Sequence, residues 1–307
     1  MLVLDTLKLT EIFIECDDFC KLLDIHCSDF RELNEKAKSG FASRMSDSEL
    51  MAIIIFFHHS GIRCFKWYYE HVLKVHFASY FPDLLSYSEF VSKKKRVFWQ
   101  LLIFLQACRL APSTEHNYID SKPLVVCHNK RISRHKVFKN ASRGKSSTGW
   151  FYGFKLHAIV NQYGQLVVFE VSPANKADNN PNLLRKITDK INGFLYGDKG
   201  YITRIKNELK KNGTHLITKI RSNMKKKNII TDEQKHYLRH RGIIESVFDL
   251  LKHHCQIEHS RHRSPENFLI NILGALLAYT FMESTPKIPQ FPKKVGKWTS
   301  PALIELV

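Results

Sequence analysis

The chain has 307 residues, of which 47 are lysine or arginine and 29 aspartate or glutamate, leaving a formal charge of +18 with 16 histidines besides. An excess of that size points to a polyanionic partner, while a hydrophobic fraction of 44 % excludes a basic tail and supports a folded protein of roughly two domains. The opening stretch "MLVLDTLKLTEIFIECDDFC" carries acids through its only apolar segment, which argues against a secretory signal and for a cytoplasmic protein.

In chain order, residues 1–110 read as helical. Ser46 and Glu49 have the spacing of a capping box in front of an apolar run, so a helix is expected to start there. A second helix is expected over 89–109, basic at "SKKKR" and then strongly apolar. The apolar runs 50–57, 97–105 and 268–282 are shorter than the roughly 18 residues that argue for a membrane span, and read as buried helices. The seven cysteines, scattered from 16 to 255 without paired spacing, read as reduced, mostly buried thiols rather than a zinc ribbon.

The texture changes near Ala111 and Pro112, where we place a domain boundary. Short β-type runs follow: "HNYIDSKPLVV" through Asp120, then "WFYGFKLHAIV" and "QLVVFEVS" joined by a hairpin turn at "NQYG". A helix over "NNPNLLRKITDKI", the strand "GFLYGD", a helix "TRIKNELKKNG" ending on Gly213, and the strand "HLITKI" come next. A long helix is expected over 232–254, and residues 284–307 form a tail rich in proline and lysine, expected to be poorly ordered.

Two features bear on chemistry. In "GDKGYI", Asp198 follows the apolar run Phe194, Leu195 and Tyr196, so it sits at a strand end, where sites tend to be built. On the long helix, Ile244, Val247, Phe248 and Leu251 form a core-facing stripe, and Arg241, Glu245, Asp249 and Lys252 line a neighbouring face. For an isolated helix such a face is commonly a solvated row of ion pairs.

The order of elements changes that reading. Three strands, a helix, a strand, a helix, a strand and a long helix resemble the ribonuclease H-like fold, an α/β (α+β) architecture whose mixed sheet is flanked by helices, here preceded by a helical N-terminal domain. The motifs "YIDSKPLVVCHNKRISRHKVF", "GKSSTGWFYGFKLHAIVNQYG", "GDKGYI" and "RHRGIIESVFDLLK" resemble the DDE transposases of the insertion sequence 982 family over roughly residues 40–283. The resemblance implies the catalytic, metal-binding acids Asp120, Asp198 and Glu245. It also implies domains over 1–110 for recognising DNA ends and 111–283 for catalysis. Arg241, Glu245 and Lys252 keep an arginine, glutamate and lysine spacing found in the related insertion sequence 4 group, whose tyrosine is replaced here by Leu238, with Tyr237 adjacent.

The implied reaction is cleavage at terminal inverted repeats and joining of 3′ hydroxyls to target DNA. The implied cofactor is a pair of Mg²⁺ ions, for which Mn²⁺ can substitute. Such pairs sit about 3.5 to 4 Å apart, one oxygen activated and the other stabilised, and hard cations call for carboxylate ligands. Double-stranded DNA is the expected partner, and handling two ends together calls for at least a dimer on DNA. Lys199, Arg241, Lys252 and the loop lysines Lys225, Lys226 and Lys227 are the candidate DNA contacts, and His157 and Asp178 the possible neighbours of the site. Lys199 reads equally as a plain exposed lysine, His157 as a structural histidine, and Asp178 as a turn acid. The pairs His58–His59 and His253–His254 read as structural. Two alternatives stay open: a nuclease or resolvase on the same fold, and a DNA-binding protein that no longer cuts.

Overall fold

The computed structural model describes residues 5–26, 44–146, 149–219, 230–258 and 262–290. Its N-terminal part is helical because apolar residues recur there at helical spacing. Helix α1 (Thr6–His26) buries Leu9, Ile12, Cys16 and Phe19, one residue per turn. Helix α2 (Asp47–His59) opens with the expected capping box: the Glu49 N–H donates to Ser46 Oγ at 3.1 Å and the Ser46 N–H to Glu49 Oε2 at 2.6 Å. Buried on nearly every side, α2 is an interior helix packed between α1 and a C-terminal helix, Pro265–Thr280. Gly274 of that last helix permits the approach, since a Cβ there would lie 2.7 Å from His58 and 2.8 Å from Ile54.

The second expected helix begins earlier and is not uniform. A second capping box, Ser86 with Glu89, starts α3 (Tyr87–Lys93). A tight turn at Lys94–Val97 leads into α4 (Phe98–Phe104), and a wide turn, Leu105–Arg109, closes the run. The tight turn lets Arg96 bond Asp47 and reach the Met45 carbonyl at 2.6 Å, tying the run to the start of α2.

From residue 116 a curled mixed sheet takes over. Its strands are β1 (His116–Cys127), β2 (Ser142–Ser146), β3 (Gly149–Asn161), β4 (Leu166–Pro173), β5 (Gly193–Gly197) and β6 (Thr214–Thr218). The order runs β2-β3-β1-β5-β6, with β4 on the far side of β3. β1 is antiparallel to β3 and parallel to β5, and β5 is parallel to β6. Helices α5 (Pro181–Thr188) and α6 (Lys206–Lys211) make the crossovers, and α6 stops at Asn212 before Gly213 with φ +91°. This is the ribonuclease H-like mixed α/β architecture, with helices flanking the sheet and a helical region before it.

Two expectations are corrected. β2 was not foreseen, because "SRGKS" is short and polar and lacks the β-branched and aromatic residues that mark a strand. Asp198 therefore follows the fifth strand, not the fourth. The helix expected over 232–254 is divided into α7 (Asp232–Arg239) and α8 (Gly242–Asp249), the latter continued by a wide turn, Leu250–His254. The break falls at His240 and Arg241, just before Gly242, whose missing side chain weakens a helix interior. The C-terminal helix is α9. Ile244, Val247, Phe248 and Leu251 are each at most 2 % exposed, as their spacing predicts, and α8 packs its stripe against β1. Among the described residues no helix is long and apolar enough to cross a membrane. Much of the tail beyond 284, namely 291–307, lies outside the described residues.

Candidate active site

Strand register brings the first two acids together. In the parallel pair β1–β5, Tyr118 stands opposite Tyr196, and two residues further along each chain come Asp120 and Asp198. Glu245 reaches the same place from α8, whose stripe fixes the helix on β1. All three acids line one cleft of about 650 Å³, together with Asp178, Arg241 and Lys252.

Their environments differ. Asp120 lies mid-strand with its side chain 20 % exposed, and burial pushes its carboxyl up to about 6, the charges of Asp198 and Glu245 adding to the rise. The Ser121 N–H and Arg241 oppose that shift. Arg241 lies between two acids: one guanidinium nitrogen donates to Glu245 Oε1 at 2.8 Å and the other is 3.9 Å from Asp120 Oδ2. Asp198 caps the short turn Lys199–Tyr201, accepting the Gly200 N–H on Oδ1 at 2.7 Å.

The two glycines beside Asp198 serve close packing. A Cβ at Gly197 would lie 3.1 Å from both Ile119 and Tyr201, and one at Gly200 would lie 2.8 Å from Asp198 Oδ1. Gly200→Ala is therefore expected to push the Asp198 carboxylate aside at a site that tolerates only small misplacement. Cleavage should fall roughly a hundredfold, with the melting temperature almost unchanged. Unchanged cleavage would show that this carboxylate position is not critical.

The remaining candidates are placed as follows. Asp178 accepts from Ser121 Oγ at 2.9 Å and from Lys155 Nζ at 3.0 Å, so it belongs to the cleft. His157 is buried behind it, Nδ1 3.9 Å from Asp178 Oδ1 and Nε2 bonded to Ser172 Oγ at 2.8 Å. Burial pulls its imidazole down to about 4, so it is neutral near pH 7. Lys252 pairs with Glu258 at 3.1 Å. Lys199 is exposed on the turn after Asp198. Tyr237, adjacent to Leu238, stacks on His116 with ring centroids 3.5 Å apart and is buried away from the cleft. Lys225, Lys226 and Lys227 lie outside the described residues.

Sequence reasoning missed Ser121, Lys122, Lys145, Trp150, Lys155 and Glu258, all of which line the cleft. Alternation along β1 and β3 could have flagged Lys122 and Lys155 as polar positions in otherwise apolar strands.

The donors facing the cleft are carboxylate oxygens, the type that suits a hard divalent cation. Among the described residues no three such groups are close enough together to hold an ion as they stand. The residues nonetheless fit one: a desolvated carboxylate at the centre is opposed by two further acids, and Arg241 bridges a pair of the three. Displacing that guanidinium would free two carboxylates for metal.

A ribonuclease H-like sheet carrying one acid mid-way along β1, another where β5 ends and a third on a helix packed against β1 defines an acidic cleft on that fold. The family model of the transposase DDE domain matches residues 111–265, a span containing all three acids, and the chain belongs to that family. Comparisons with curated proteins and with solved structures give no match.

Proposed function

We propose that the protein is the transposase of an insertion sequence of the 982 type, cutting DNA at the element's terminal inverted repeats and joining the 3′ hydroxyl ends to target DNA. The observation that supports this best is the meeting of Asp120, Asp198 and Glu245 in one cleft within the span of the family match. Asp120, Asp198 and Glu245 would hold two Mg²⁺ ions, with Mn²⁺ as a substitute. When bound, these ions activate the attacking oxygen and stabilise the leaving one.

The chain's own groups do the positioning. β1 and β5 hold two carboxylates on rigid backbone, and the Gly200 N–H fixes the Asp198 carboxylate through Oδ1 at the wall of the cleft. Arg241 offsets repulsion between Asp120 and Glu245, and would hold the DNA backbone beside them when substrate is bound. Lys252, half exposed, is a second phosphate-binding group that exchanges Glu258 for DNA. Residues 1–110 would read the terminal repeats, residues 111–283 cut and join, and two copies act together on paired ends.

The test is to incubate purified protein with labelled element-end DNA, target DNA and Mg²⁺. Joined product supports the proposal, cleaved product alone indicates a nuclease or resolvase, and bound but uncut DNA a binding protein. A salt titration checks the phosphate-binding groups. Arg241→Ala and Lys252→Ala should weaken binding to all DNA sequences alike and lower the salt slope by about 0.9 for each phosphate that is no longer neutralised. Unchanged affinity and slope would reduce both residues to partners of Glu245 and Glu258.

A further inference from the structure

The cleft does not end at the acids. β3 pairs with β4 from Phe154 to Val160, but its first residues leave β4 behind and pair with β2 instead, Lys145 facing Trp150 and Ser142 facing Gly153. The β2–β3 ribbon so extends the wall of the cleft beyond the sheet. Trp150 lies eight positions before Ala158, the β3 partner of Asp120. At about 3.3 Å per strand residue Trp150 lies roughly 26 Å along β3 from that position.

Trp150 is one of the most exposed large hydrophobic side chains among the described residues, at 62 %, and its backbone is anchored. Its carbonyl accepts from Asn129 Nδ2 at 2.7 Å, and the Lys145 ammonium lies 5.8 Å from the ring centroid. An indole exposed in a cleft shared with an acidic centre offers a flat face on which another ring can stack. Lys145 and Lys122 line the same cleft, and among the described residues neither has a carboxylate partner. The cleft, with a volume of about 650 Å³, is continuous from the acids to Trp150.

We propose that Trp150 is a stacking platform for an unpaired base of the DNA strand whose phosphate lies at the acids, with Lys122 and Lys145 holding the backbone in between. The proposal rests on the reading that this site acts on DNA and adds that the strand in the cleft is locally single. A positively charged groove that tracks the backbone and an aromatic face that takes any base is the general design of sequence-tolerant single-strand binding. Lys145 over the indole also gives the ring a cation on one side, leaving the other side for a base.

The experiment measures fluorescence anisotropy of a labelled oligothymidylate of about 12 nucleotides, and of a fully paired duplex, with the full-length chain and Ca²⁺ to prevent chemistry. Trp150→Ala should weaken oligothymidylate binding on the order of tenfold with an unchanged salt slope. Trp150→Phe should keep most of the affinity, and duplex binding should not change. Lys145→Ala should lower the single-strand salt slope by about 0.7. Because Trp150 is exposed, its replacement should leave the fold and melting temperature intact. Equal affinity of Trp150→Ala and wild type for the oligonucleotide, in protein that still cleaves DNA, overturns the platform and leaves the acidic site standing. So does an equal loss on the duplex, or a change of oligomeric state without a change in affinity. Absence of any Asp120-dependent cleavage removes the reading on which both rest.

Discussion

Asp120→Asn, Asp198→Asn and Glu245→Gln are each expected to lose DNA cleavage and strand joining by at least about a hundred- to a thousandfold in Mg²⁺, while folding normally. The changes are nearly isosteric, so packing around β1, β5 and α8 is kept; what disappears is an anionic oxygen able to bind a hard cation. Loss on this scale is typical when one preorganised charge is removed from a reacting centre. The three should not be additive, because a site lacking one ligand no longer positions the reacting oxygens for the others to help. Calcium should support DNA binding with little or no chemistry, since its looser coordination aligns those oxygens poorly. The measurement is single-turnover cleavage of labelled element-end DNA, beside melting curves to show folding. Near wild-type joining by any one variant would remove that residue from the site. Asp178→Asn is the internal control: its carboxylate is already engaged by Ser121 and Lys155, so a smaller loss is expected.

How much of this was legible in the sequence follows from which forces are local. Ser46 with Glu49 announces α2 because a capping box is satisfied within one turn of chain. The stripe from Ile244 to Leu251 announces a buried face because helical period and burial coincide. Asp120, Asp198 and Glu245 were legible through the motifs around them. Their convergence, however, depends on the register of β1 against β5, which no local pattern states. What was hidden is tertiary. β2 is polar and is a strand only because β3 offers it an edge. The division between α7 and α8 turns on Gly242 and on Tyr237 anchoring beneath β1, a stacking interaction with His116 some 120 residues away in the chain. Helical spacing places Arg241 and Lys252 on one face, yet Lys252 finds Glu258 beyond the helix and Arg241 reaches across to Asp120 on β1.

Asp120→Asn should also stabilise the metal-free protein, by an amount that depends on pH. The carboxyl titrates at about 6 in the folded chain against an ordinary 3.8, chiefly because burial penalises its charged form. A group raised in this way contributes its stability fully below the unfolded value and loses it as pH rises through the folded value. The wild type should therefore lose stability between about pH 4 and pH 6 relative to Asp120→Asn, and level off above. A shift of about two pH units corresponds to roughly 3 kcal/mol at neutral pH, an upper figure because Arg241 and partial exposure soften the penalty. For a chain of this size that amounts to a gain of several degrees in melting temperature. His157 works in the opposite direction: held at about 4 by burial, it costs stability as pH falls below about 6.5, and does so equally in both proteins. The difference between wild type and variant thus isolates Asp120 from the background. Mg²⁺ should narrow the gap by raising the wild type selectively, since binding to the folded state alone adds stability by mass action. A variant no more stable than wild type at pH 7 without metal, or a gap that Mg²⁺ leaves untouched, would mean that Asp120 is comfortably solvated and is not the strained centre of a cation site.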